Sequence, residues 1–200
     1  DTHSWRFVAE VEVSAALQNL VNAAENAQVE EFQSLKERLQ RLHRSIPAEW
    51  LNHASILYEI GSAYGKLDMF AEAVDAYNAA LEAPQADYPV VLLEDKISLQ
   101  TAWALAWFQG KATAPETRLA ATPADLMQQS LKILHLLDKL GNSLQRFEDE
   151  GKFWKRQAMM LEGHKRNRAL QAMEAAYKKA HEFAMQKTNT IIGYSLINWL

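Results

Sequence analysis

Cysteine is absent from this sequence, and glycine and proline are scarce, at seven and five residues of 200. The absence of cysteine excludes disulfide bonds, thiolate zinc sites and cysteine nucleophiles, and it suits a reducing, cytoplasmic location. Few glycines and prolines favour long helices with short connections. No uncharged apolar run reaches the roughly 18 residues of a membrane-spanning helix. We therefore expect a globular helical protein that does not cross a membrane.

The two ends of the chain lack the features of a complete secreted protein. Asp1 is followed by neither a basic region nor an apolar run, so no signal peptide is predicted. The last residues, 197–200, lie within an apolar pattern. We expect a fragment of a longer protein that forms one helical domain over residues 1–200. A processed mature chain is the alternative.

Apolar residues recur at helical spacing almost throughout, which predicts an all-α fold of about nine helices stacked as antiparallel hairpins. A loop at 110–121 is the softest domain boundary. Thr122 is the expected N-cap of the helix that follows, with proline at its first position and Asp125 in its first turn. The predicted helices are 4–24, 28–44, a hairpin within 48–83, 89–109, one from Thr122, a hairpin of 152–162 and 166–186, and one from Thr190.

Residues 54–84 carry the most specific pattern in the chain. Two short amphipathic segments flank a polar break at residues 66–68, and Pro84 closes the unit. Small residues stand where two helices would approach closely, and aromatic residues stand around them. The positions concerned are Leu57, Ile60, Gly61, Tyr64, Phe70, Ala73, Val74, Tyr77, Ala80 and Leu81. This arrangement predicts a tightly packed helical hairpin.

This pattern resembles the tetratricopeptide repeat over about one unit. The matching residues are Leu57, Gly61, Tyr64, Ala73, Tyr77, Ala80 and Pro84. The resemblance implies a right-handed helical solenoid, and a binding or scaffolding role without catalysis or a cofactor. The alternative is a compact bundle that contains one repeat-like hairpin. Residues 163–169 and 194–199 also resemble helical repeat regions of large bacterial multidomain proteins, which implies a regulatory module beside an effector domain.

A peptide groove is the first candidate binding site. The resemblance implies that the first helix of the hairpin lines a concave surface, with Ser55, Tyr58, Ser62 and Lys66 as the groove residues. Members that grip a terminal carboxylate have lysine and asparagine where this chain has Tyr58 and Ser62. The expected partner is instead an apolar or helical protein segment, from another protein or from the same chain. Alternatively, Tyr58 packs against a neighbouring hairpin.

A basic patch is the second candidate site. Residues 152–187 hold nine basic and three acidic residues, a net charge of +6, whereas residues 1–151 hold twelve and twenty-two, a net charge of −10. Such a patch attracts phosphate or an acidic protein surface, so nucleic-acid binding is the alternative function. The flanking aromatics Phe153, Trp154 and Tyr177 have the spacing of core residues. The patch consists of Lys152, Lys155, Arg156, Lys165, Arg166 and Arg168.

Histidine and acidic residues give no pattern typical of an active site or metal site. Glu49 and His53 could share a metal, but no third ligand is evident, and a solvated pair is the expectation. His135 near Asp138 is expected at the edge of a core. The acidic run 148–150 is expected to be a solvated helix end, because no calcium-type loop surrounds it. We therefore expect no metal and no enzymatic activity.

Overall fold

A computed structural model describes the backbone of residues 2–84, 89–115 and 120–188, and the side chains of these residues except 2–10, 29 and 188. All regular structure in these ranges is helical, which confirms the all-α prediction. The eight α-helices are α1 (Thr2–Asn26), α2 (Phe32–Ser45), α3 (Ala54–Lys66), α4 (Phe70–Glu82), α5 (Pro89–Phe108), α6 (Pro123–Asp138), α7 (Leu144–Met159) and α8 (Gly163–Thr188). Two short 3-10 helices occupy Val29–Glu31 and Trp50–Asn52. The further helix predicted from Thr190 lies outside the described residues.

The chain divides into two compact units, residues 1–92 and 93–200. In the first unit, α3 and α4 form the hairpin predicted over 54–84. The turn between them contains Asp68, whose φ of 55° is left-handed. Leu67 was part of the predicted polar break, yet it is buried at 1% exposure. Leu67 is the C-cap residue of α3, and its side chain packs in the core of the first unit. This packing holds the turn in place.

Close approach of α3 and α4 depends on Gly61. A Cβ atom added at this position would come within 2.6 Å of two ring carbons of Tyr77. Tyr77 is 4% exposed, and Ala73, on the same face of α4, is 0% exposed. The ring of Tyr77 therefore occupies the space that a side chain at Gly61 would need. This is the packing that the sequence pattern predicts.

The second unit repeats this device between α7 and α8. A Cβ atom added at Gly151 would meet Cε1 of Tyr177 at 2.6 Å, and Tyr177 is fully buried. Farther along the same interface, the rings of Phe147 and Phe183 meet edge to face at 5.7 Å. The earlier residue of α7, Phe147, contacts the later residue of α8, Phe183. Helices α7 and α8 are therefore antiparallel.

The start of α6 follows the prediction, whereas the start of α7 does not. Thr122 and Asp125 form a capping box with proline at the first helical position. Helix α7 was predicted from about residue 152, but it begins at Leu144, where Ser143 accepts a hydrogen bond from the amide of Arg146. The first turns of α7 bury Arg146 and Asp149, and these polar side chains interrupt the apolar pattern that would have marked the helix.

Helix α5 is only partly buried, although its apolar sequence predicts a largely covered helix, and among the residues that it buries are polar side chains. Glu94, Gln100 and Thr101 are at most 8% exposed. Phe108, at its end, is 53% exposed, so the helix is not covered all round. The described helices include none with the length and hydropathy needed to span a bilayer.

Candidate binding sites

The four predicted groove residues share one face of α3. Ser55 and Lys66 are exposed, and Tyr58 and Ser62 are half-buried. The ring of Tyr58 stacks on Tyr77, with ring centroids 5.9 Å apart and planes 27° from parallel. Tyr58 therefore packs within its own hairpin and still presents part of its surface.

Helix α1 lies beside α3 in the first unit. Ser14 Oγ donates to Glu59 Oε1 at 2.7 Å, and Lys66 Nζ lies 2.6 Å from Glu25 Oε1. Contacts that advance in the same direction along both helices show that α1 and α3 are parallel. Lys66 thus contacts α1, although its side chain remains 47% exposed.

The predicted basic patch consists of two groups with different surroundings. Lys165, Arg166 and Arg168 are exposed in the first turns of α8. The other three lie on α7 and face α5 across a cleft of about 330 Å³. The residues that line this cleft are Ser98, Leu105, Lys152, Lys155, Arg156 and Met159. We call it the α5–α7 cleft.

Two of the cleft cations are held in place by neighbouring groups. Nη1 of Arg156 donates to the carbonyl oxygen of Ser98 at 2.8 Å and to Oγ1 of Thr101 at 2.6 Å. Lys152 Nζ lies 3.0 Å from Asp149 Oδ1. These contacts fix positive charge along the wall of the cleft, and Lys155 is exposed beside them.

Asp149 corrects the prediction that the acidic run 148–150 is a solvated helix end. It is 2% exposed inside α7, and both of its carboxylate oxygens accept hydrogen bonds from Gln145 Nε2 at 3.0 Å. Burial raises the pKa of this carboxyl group, and the positive charge of Lys152 opposes that shift. Asp149 therefore links Gln145 and Lys152 on the same helix and holds one of the cleft cations.

Arg146 joins three elements of the second unit. Its Nε donates to Glu94 Oε1 of α5 at 3.1 Å, and its Nη1 donates to the carbonyl oxygens of Leu137 and Gly141 at the end of α6. Burial raises the pKa of Glu94, while the hydrogen bond and charge of Arg146 oppose that shift. Sequence reasoning missed this pair, because residues 52 positions apart show no local pattern. The pair holds α5 and α7 as the two walls of the cleft.

The aromatic residues next to the patch are packed, as their spacing predicts. Phe153 and Tyr177 are at most 1% exposed. The half-buried Trp154 meets Phe153 edge to face, with ring centroids 5.0 Å apart. Base stacking requires an accessible ring face, which Phe153 and Tyr177 do not offer.

The residues considered for metal binding are dispersed. Glu49 and His53 are exposed on either side of the 3-10 helix Trp50–Asn52, and not on one α-helix. His135 was expected at a core edge, but it is exposed together with Asp138 on α6. Within the described ranges, no three histidine or acidic residues are grouped as metal ligands.

Comparisons of this chain with models of known protein families, with curated proteins and with solved structures found no match.

Proposed function

We propose that this chain is a non-catalytic, tetratricopeptide-like module that binds a peptide or helix of another protein or of its own longer chain. The observation that carries the proposal is the recurrence of one hairpin design. The ring of Tyr77 packs on Gly61 where α3 approaches α4, and the ring of Tyr177 packs on Gly151 where α7 approaches α8. Closely packed hairpins that recur along a chain are the building units of solenoids, whose extended surfaces bind proteins.

The arrangement of first helices supports the same proposal. Helix α1 is parallel to α3 in the first unit. In the second unit α5 is parallel to α7, since Glu94 contacts Arg146 and Ser98 contacts Arg156. Side-by-side first helices form the lining of a groove in a right-handed solenoid. A regulatory role in a larger cytoplasmic, bacterial multidomain protein is part of the proposal, in keeping with a chain that lacks cysteine.

The first test is affinity capture from a lysate of the source organism, with and without nuclease, followed by mass spectrometry. Tyr58→Ala with Ser62→Lys should weaken capture of a nuclease-resistant protein partner. Tyr58→Phe is the matched control, because it keeps the ring that stacks on Tyr77. Unchanged capture by the double variant would reject α3 as the binding surface, and turnover of a substrate by the chain would reject the module.

Nucleic-acid binding is the second candidate function. It is favoured by the three exposed cations Lys165, Arg166 and Arg168 at the start of α8. Because phosphate contacts release counterions, binding of a fluorescent oligonucleotide should weaken steeply with salt. Replacement of the three cations by glutamate should abolish it, and salt-insensitive or absent binding would reject this candidate.

A further inference from the structure

The α5–α7 cleft combines fixed positive charge with apolar surface. Lys152, Lys155 and Arg156 lie on one side, and Leu105 and Met159 line the same concavity. Met159 is 54% exposed, so its apolar side chain is accessible beside the three cations. We propose that this cleft binds an acidic peptide segment that carries an apolar side chain. The proposal rests on the protein-binding function proposed above and names the site and the chemistry of the partner.

Two of the three cleft cations, Lys152 and Arg156, are positioned before any partner arrives. Two hydrogen bonds from Arg156 to α5 hold its guanidinium group at the wall of the cleft. The buried contact between Arg146 and Glu94 holds α5 and α7 together near the N-terminal ends of the two helices. A preorganised site loses less conformational entropy on binding, so carboxylates of the partner gain more from each contact. The carboxylates would bind Lys155 and Arg156, and an apolar side chain would lie between Leu105 and Met159.

Size and charge favour a peptide over a nucleic acid. At about 330 Å³ the cleft is at the small end of ligand sites, which span about 300–1,000 Å³, so it accommodates a few side chains. Asp149 offsets part of the charge of Lys152, which leaves Lys155 and Arg156 as the main cations of the cleft, enough for a few carboxylates but few for a run of phosphates. The buried rings of Phe153 and Tyr177 provide no platform for bases. An acidic peptide with an apolar residue matches both kinds of surface in the cleft.

The test uses the full chain and a short fluorescein-labelled peptide of glutamate and aspartate interrupted by one leucine. Fluorescence anisotropy should show binding, and Lys155→Glu should weaken it by at least about tenfold, as expected for loss of a charge-assisted contact. Lys179→Glu is the matched control, since it makes the same charge change on an exposed lysine of α8 that lies outside both the cleft and the basic patch. Arg156 is left unchanged because it also bonds α5.

The apolar part of the proposal has its own variant pair. Met159→Gln should weaken peptide binding by about threefold to tenfold through lost apolar contact. Met185→Gln, at a methionine on α8 that is 38% exposed, should leave binding unchanged. Circular dichroism melting of each variant establishes that the helices are intact.

Several outcomes would overturn the cleft as the site. Absence of peptide binding, or equal losses in Lys155→Glu and Lys179→Glu, would show that no defined site exists in the cleft. Displacement of the peptide by an oligonucleotide of deoxythymidine would assign the cleft to nucleic acid if Lys155→Glu also abolished binding of that oligonucleotide. A cellular protein partner captured equally by the wild type and by Lys155→Glu would overturn the cleft but preserve the binding module. Failure of the wild type to capture any partner would instead reject a partner from another protein and leave a segment of its own longer chain as the ligand of the module.

Discussion

The ring of Tyr177 lies directly over Gly151, at a distance where a methyl group on the glycine would clash with Cε1, Cζ and Cδ1. Tyr77 has the same relation to Gly61 in the other unit. Both tyrosines are buried, and both glycines lie inside helices, where alanine would ordinarily be preferred. The glycines are therefore explained by helix packing, and this makes their substitution informative.

Gly151→Ala should destabilise the second unit by about 1–3 kcal/mol through overpacking. The sign of the change in the free energy of unfolding is diagnostic, because replacing an unpacked helical glycine by alanine stabilises a protein by about 1 kcal/mol. Urea unfolding followed by circular dichroism would measure it. In a Tyr177→Leu background the cost of Gly151→Ala should shrink, because the clashing ring is gone. A stabilised Gly151→Ala variant would refute the contact.

Gly61→Leu should be at least as damaging to the first unit, at about 1–3 kcal/mol or more. The Cβ atom of the new side chain would lie 2.6 Å from the ring of Tyr77 and 3.3 Å from the backbone oxygen of Ala73. The backbone oxygen cannot rotate away as a side chain can. The measurement is the melting temperature of the variant against wild type. No change would mean that α3 and α4 are not packed as described.

Arg146→Met should destabilise the second unit by about 3 kcal/mol, because it leaves the buried carboxylate of Glu94 without its cation. The double variant with Glu94→Gln should recover part of the loss, since no charge is then left unpaired. Lower pH should also rescue the single variant as Glu94 protonates. Chemical unfolding of Arg146→Met, Glu94→Gln and the double variant would test this, and additive effects would argue against coupling.

The stability of the first unit should fall at mildly acidic pH because of His43. Its Nδ1 lies 2.7 Å from the hydroxyl of Tyr64, and burial lowers its pKa below the usual 6.5. The unfolded chain therefore binds a proton that the folded chain does not, so the free energy of unfolding falls as pH drops below 6.5 and levels off below the folded pKa. Unfolding at about pH 7.5 and about pH 5.5 should show a smaller difference in His43→Gln than in wild type. Equal pH dependence in both would contradict the prediction.

Lys165→Glu should stabilise α8 by about 0.3–1 kcal/mol, because the positive end of a helix dipole disfavours a lysine in the first turn. No acidic residue occupies that turn. Thermal unfolding at low and high salt would measure the effect, which screening should reduce. A destabilised Lys165→Glu variant would indicate that the lysine contacts an acidic group of the fold.

Local chemistry made several elements predictable. The hairpin over 54–84 follows from helical periodicity and from small residues at the helix crossing, and the start of α6 follows from the cap formed by Thr122 and Asp125. The same reasoning failed where burial was polar. It placed the start of α7 too late and made Asp149 solvent-exposed, because a buried aspartate and a solvated one look alike in sequence. The six basic residues were identified, but not their division between the cleft and the start of α8.

The sequence by itself determined that the chain is helical, where most helices lie and that Gly61 stands at a close crossing. These features depend on backbone hydrogen bonds and side-chain spacing within a few residues, which a sequence displays directly. Tertiary structure decided that Arg146 meets Glu94, that Arg156 reaches Ser98, and that three of the six cations face apolar side chains across a cleft. Those relations join residues more than 50 positions apart, and only the packing of α5 against α7 brings them together.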